Sequence, residues 1–105
     1  MPLAEPIALD PYVVDVLLPD LVGHDRRPSA FVLYLALWRL TDGGHESVAV
    51  SLRTLAESTG LSKRAVQAAA DRLVDRRRLV SVERASVTAV PIYTVLRPWA
   101  TRRRS

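Results

Sequence analysis

The fifteen residues from Leu52 to Val66, LRTLAESTGLSKRAV, constrain this chain more than any other stretch. Leu52, Leu55 and Ala56 stand at i, i+3 and i+4, which places three apolar groups on one face of a helix. Ser51, just before them, is suited to cap that helix. Gly60 follows where the chain has to turn, and glycine takes positive φ without steric cost. Ser62 is placed to cap a second helix, its hydroxyl accepting an unpaired N–H of the first turn. That helix reads KRAVQAAADRLVDRRR from Lys63 to Arg78, with Val66, Ala69, Ala70 and Leu73 as its inner face. The small side chains of Ala56 and Ala69 let the two helices cross closely. Lys63, Arg64, Gln67 and Ala68 are left facing outward at the start of the second helix.

Charge is divided unevenly around this unit. The chain of 105 residues carries a net charge of +4. Residues 1–50 hold seven acidic side chains against Arg26, Arg27 and Arg39. Residues 51–105 hold twelve basic side chains against Glu57, Asp71, Asp75 and Glu83. Positive charge thus concentrates on the half with the paired helices, as expected of a polyanion binder. Lys63 is the one lysine among the fifteen basic residues. Arginine's fork suits phosphate and guanine, but a GC-rich genome would yield the same ratio.

Other function classes find little support. The length fits one domain with a modest core. With no cysteine, disulfides and thiolate metal sites are excluded. The N-terminus does not read as a leader peptide. The apolar run Ala30 to Leu37, ended one residue later at Trp38, falls far short of the about 20 residues that cross a bilayer. A soluble, cytoplasmic protein without a membrane partner is expected. His24 and His45 stand isolated, so no metal site is expected. Aspartates at 10, 15, 20 and 25 would be spread around a helix rather than gathered on one face. Neither a glycine-rich phosphate loop nor a G-x-S-x-G elbow is present. The expectation is a non-enzyme without cofactor and, lacking a sizeable second domain, without an obvious small-molecule effector.

Three regions follow along the chain. Residues 1–28 read as an N-terminal arm and possible dimerisation segment. Within them Met1 to Pro11 is expected to be an extended or poorly ordered arm, Tyr12 to Val16 (YVVDV) to form a short strand, and Leu17 to Val22 to form a helical turn near Pro19. Residues 29–99 read as the main domain. Ser29 is expected to cap a helix running to about Thr41, ended by Asp42-Gly43-Gly44, with Glu46 to Val50 as a link. After Arg76-Arg77-Arg78 the period changes: Leu79 to Val82 and Ile92 to Leu96 are β-rich and separated by a hairpin-length loop, with Pro91 at a strand start. Residues 100–105 read as a basic, flexible tail.

The order of helix, helix-turn-helix pair and hairpin is that of a winged helix, a mainly α fold with a small β-hairpin. Residues 29–97 resemble the winged-helix domains of small bacterial regulators of the GntR and MarR kind, and equally those of plasmid and phage replication initiators. The matching residues are Leu55-Ala56, Gly60-Leu61-Ser62, Val66, Leu73 and Leu79-Val80. The resemblance implies that the helix after Ser62 lies in the major groove of double-stranded DNA and that the hairpin touches its backbone or minor groove. One position departs from the pattern: such domains usually carry glycine between recognition helix and wing, where this chain has Arg77-Arg78.

Candidate DNA contacts follow from these readings. Arg64 and Gln67, with Lys63 and Ala68, are placed to meet base edges, arginine suiting guanine and glutamine adenine. Ser62 caps their helix. Ser51, Arg53 and Thr54 open the preceding helix, whose N–H groups suit a phosphate; capping is the competing role for Ser51. Arg76 and Arg77 lie where cations also offset a helix dipole. Arg84 in the wing, and Arg102, Arg103 and Arg104 in the tail, read as sequence-independent backbone contacts.

The helix from Ala30 to Leu40 has almost no polar face, so it needs cover on every side. Residues 12–22 folding back would supply it, or a second copy in a homodimer. Transcriptional regulation, replication or partition initiation, and a protein-interaction module all remain open at this level.

Overall fold

The computed structural model describes residues 6–76 and 78–102. Its helices are α1 (Pro28–Leu40), α2 (Leu52–Thr59), α3 (Lys63–Asp71) and α4 (Pro98–Arg102). Its strands are β1 (Val48–Ala49), β2 (Val80–Glu83) and β3 (Ile92–Val95), forming an antiparallel sheet in the order β1-β3-β2. The hairpin register pairs Val80 with Val95 and Glu83 with Ile92. Strand β1, within the segment expected to be a plain link, adds to the far edge of β3 through Val48–Tyr93 and Ala49–Ile92. This is a winged helix.

The strand expected at Tyr12 to Val16 is instead part of a helical run over residues 11–24. Asp10 caps it, its Oδ1 accepting the Tyr12 N–H at 3.0 Å, and Pro11 occupies a first-turn site where no N–H is needed. Val13, Leu17 and Leu21 recur every four residues and are all buried. The turns Val13–Leu17 and Pro19–His24 are wide and π-type, and the second opens on Pro19, which has no N–H to give. Arg26 then takes a left-handed conformation at φ 55°, and the Arg27 N–H reaches back to the Leu21 carbonyl at 2.8 Å.

Helix α1 starts one residue before the expected cap. Pro28 is its first residue and Arg27 its N-cap, without a side-chain hydrogen bond, so Ser29 is not the cap. Ala30, Leu33, Tyr34, Leu37 and Trp38 form the buried face, while Val32, Leu35 and Arg39 are exposed. The N-terminal helical run supplies part of the cover that this helix needs, since Val13, Leu17 and Leu21 belong to the same core cluster. Burial pushes the Tyr34 phenol well above its ordinary value, so it stays a neutral donor to the Leu96 carbonyl at 3.0 Å.

Both tryptophans anchor the ends of the described chain. Trp38 Nε1 donates to the Ala8 carbonyl at 2.9 Å, which holds the segment expected to be a loose arm; residues 1–5 of that arm lie outside the described residues. Trp99 Nε1 donates to Asp10 Oδ2 at 3.0 Å, and its ring stacks on Tyr12 at 4.4 Å. The expected tail therefore begins inside α4, which runs to Arg102.

Candidate nucleic-acid interface

Both helices of the turn motif are closed at their starts as the sequence dictates. Ser51 Oγ accepts the Thr54 N–H at 3.1 Å, and Ser62 Oγ accepts the Ala65 N–H at 3.0 Å. Gly60 takes φ 81° between them. Thr59 tightens the turn, its hydroxyl donating to the Leu55 carbonyl at 2.7 Å and accepting the Leu61 N–H at 3.1 Å. With the turn set, Val66, Ala69, Ala70 and Leu73 face the core, each at most 5% exposed.

The opposite face of α3 is solvent-facing. Ser62, Lys63, Arg64, Gln67 and Ala68 are all exposed, and Asp71 continues the stripe one turn further. The two cations sit in the first turn, the end where a helix dipole favours anions rather than cations. Helix stability does not explain that placement; an external anion would. Gln67 Nε2 donates to Asp71 Oδ1 at 2.9 Å.

The remaining expected contacts within the described residues lie on other elements. Arg53 and Thr54 are exposed on α2, with Arg53 Nε 3.3 Å from Glu57 Oε2. Ser51 is half-buried and serves as the cap. Arg84 opens the wing loop and its Nη1 donates to the Val87 carbonyl at 3.4 Å. Arg76 ends the π-type turns Arg72–Arg76 that continue α3, and Arg102 ends α4. Arg77, Arg103 and Arg104 lie outside the described residues.

Two residues near the site escaped the sequence reading. Arg27, far away in the chain, lines a shallow groove together with Ala68, Asp71, Arg72 and Asp75. Only tertiary packing brings it there. Asp71 was legible, because it stands four residues after Gln67 on the same helical face. Arg72 has a structural role: its guanidinium lies 3.4 Å from Asp25 Oδ2 and ties α3 to the N-terminal helical run.

The junction from α3 to the wing resolves the missing glycine. Arg78 itself takes the left-handed conformation, at φ 54°. The following Leu79 N–H returns to the Leu73 carbonyl at 2.9 Å. This repeats the closure at Arg26, a positive-φ arginine followed by a hydrogen bond reaching six residues back. A left-handed non-glycine residue costs roughly 1–2 kcal/mol, and a glycine there loses about 0.5–1 kcal/mol of that benefit to chain entropy. Arg78→Gly is therefore expected to stabilise the protein by about 0.5–1 kcal/mol. A lower urea midpoint than the parent would contradict this.

Residues 27–77 match the family described as helix-turn-helix domain. These residues are a helix-turn-helix domain. The match opens at the N-cap of α1 and closes just past the π-type turns, so it takes in α1, β1, α2 and α3, while β2 and β3 lie beyond it. No curated protein and no solved structure matches the chain. Helix-turn-helix domains dock on DNA by laying the second helix of the pair in the major groove. In this domain that helix is α3. Among the described residues, no helix is long and apolar enough to cross a membrane.

Proposed function

We propose that this chain binds double-stranded DNA sequence-specifically, as a small transcriptional regulator, with α3 in the major groove and the β2–β3 hairpin beside the backbone. The observation that carries the reading is the outward face of α3. It presents Lys63, Arg64, Gln67 and Ala68 together, with cations at the end of the helix where they do not help the fold. Arg64 and Gln67 read bases, and Ser62 holds the helix start. Lys63 stands beside them at the same helix start; Arg53, Arg76, Arg77, Arg84 and the arginines at 102, 103 and 104 neutralise phosphates without regard to sequence, and the Thr54 hydroxyl offers a phosphate a neutral hydrogen bond.

A homodimer fits this reading, since regulators of this type read two half-sites. Its support is now narrower than an uncovered helix: Val32 and Leu35 form an exposed apolar stripe on α1, at 37% and 40% exposure.

Selection of bound sites from random duplex DNA, followed by sequencing, tests both statements. The expected product is one enriched motif with two half-sites, about 10 base pairs apart centre to centre, related by a dyad. Arg64→Ala and Gln67→Ala should each narrow the gap between selected and scrambled DNA by about 1–3 kcal/mol. An unenriched pool would overturn sequence-specific binding. A single undivided site would overturn the dimer, and a motif indifferent to both substitutions would move the reading away from α3.

A further inference from the structure

We propose that Asp71 is a positioning residue for base reading: it fixes the amide of Gln67 so that this side chain accepts adenine and rejects guanine. The inference rests on α3 being the reading helix. Its starting point is the 2.9 Å hydrogen bond from Gln67 Nε2 to Asp71 Oδ1, between two exposed side chains one helical turn apart.

A carboxylate oxygen can only accept. The group facing Asp71 must therefore be the NH2 of Gln67, and the amide's two ends are no longer interchangeable. One N–H is committed to Asp71. The other N–H and the carbonyl Oε1 stay available. Adenine offers N7 as an acceptor and its N6 amino group as a donor in the major groove, so it needs one N–H and one carbonyl from its partner. The pinned amide supplies that pair. Guanine offers two acceptors, N7 and O6. It needs two donors, and Gln67 has one left, while Oε1 would be turned toward another oxygen.

Without the pin, glutamine is less selective. The terminal amide torsion is broad, so a free side chain can swing until both N–H groups face guanine. Asp71 thus contributes discrimination by excluding an alternative. It does so against the electrostatics, because its negative charge lies on the face that meets DNA phosphates. Affinity for every sequence is lowered while the preference is sharpened. A helix-stabilising pair would explain the hydrogen bond alone, but it does not predict any change in base preference.

The test uses the full chain and the duplex selected from random DNA. Gln67→Ala first identifies the base pair that Gln67 reads, as the one position whose preference relaxes. A second duplex carries G·C in place of A·T there. The parent protein should favour the A·T duplex by about tenfold or more. Asp71→Ala should bind both duplexes more tightly and lose most of that ratio. Asp71→Asn removes the charge but keeps an oxygen acceptor, so it should show the gain in affinity and retain most of the ratio. In the Gln67→Ala background, Asp71→Ala should leave the ratio unchanged.

An unchanged ratio in Asp71→Ala, with Gln67→Ala still relaxing one position, overturns the role of Asp71 and leaves α3 as the reader. A preference for guanine at that position overturns it as well. If Gln67→Ala relaxes no position, α3 is not reading through Gln67 and the role of Asp71 falls, while Arg64→Ala still decides whether α3 is the reader.

Discussion

Leu73→Ala is expected to destabilise the protein by about 2–5 kcal/mol, the usual cost of truncating a buried leucine. Leu73 has no exposed surface and closes the inner face formed with Val66, Ala69 and Ala70. Its carbonyl also receives the Leu79 N–H at 2.9 Å, so the same residue sets the exit from α3 into the wing. Against a typical total of about 5–15 kcal/mol, such a loss is large. Urea denaturation with an unchanged slope and a lower midpoint is the expected result. A loss of only a few tenths of a kcal/mol would mean that the interior closes over the gap or that this face does not pack as described.

The second large effect is expected at Gly44. Its φ is 93°, and an added Cβ would lie 2.8 Å from the Val95 carbonyl oxygen. That oxygen is backbone in β3, held by pairing with β2, so it cannot swing aside as a side-chain tip would. Gly44→Ala combines a left-handed penalty of roughly 1–2 kcal/mol with overpacking of about 1–3 kcal/mol. The expected total is about 2–5 kcal/mol. Gly60→Ala supplies the comparison. At φ 81° with open space around it, it should cost only the left-handed penalty of roughly 1–2 kcal/mol. Thermal unfolding of the two variants beside the parent separates the contributions. Equal losses would show that β3 yields to the new methyl group.

The turn motif was legible because its determinants are local. Ser51, Gly60 and Ser62 act within their own helix ends, and the inner faces of α2 and α3 follow from spacing alone. The helix-turn-helix family match agrees with that reading. The first helical run was misread because YVVDV is β-branched, and β-branched composition argued for a strand. The better signals were also present: Asp10-Pro11 forms a helix start, and Val13, Leu17 and Leu21 keep a four-residue spacing. Strand β1 is two residues long and exists through pairing with β3, so no local pattern marks it. Ser29 lost the capping position because Pro28 is suited to the first helical turn. At the candidate site, the outward residues of α3 were readable from periodicity. Arg27 was not, since its place beside Ala68 depends on how the N-terminal helical run and α1 pack. The left-handed Arg78 was readable only as a missing glycine, because sequence does not reveal which residue will accept the strain.

The clasp between Asp10, Tyr12 and Trp99 has a consequence in time rather than in energy. Asp10 and Trp99 are 89 positions apart, so their contact closes a loop almost as long as the chain. The entropic cost of closure rises with loop length, whereas α2, Gly60 and α3 meet through neighbours in sequence. The helical pair can therefore assemble early, and the clasp is reached only after the helices and sheet have brought the two segments together. A contact made after the transition state acts on the rate of unfolding rather than on that of folding. Tyr12→Ala and Trp99→Ala are therefore expected to speed unfolding and leave refolding nearly unchanged, whereas substitutions around Gly60 should slow refolding; stopped-flow kinetics over a denaturant series would check both.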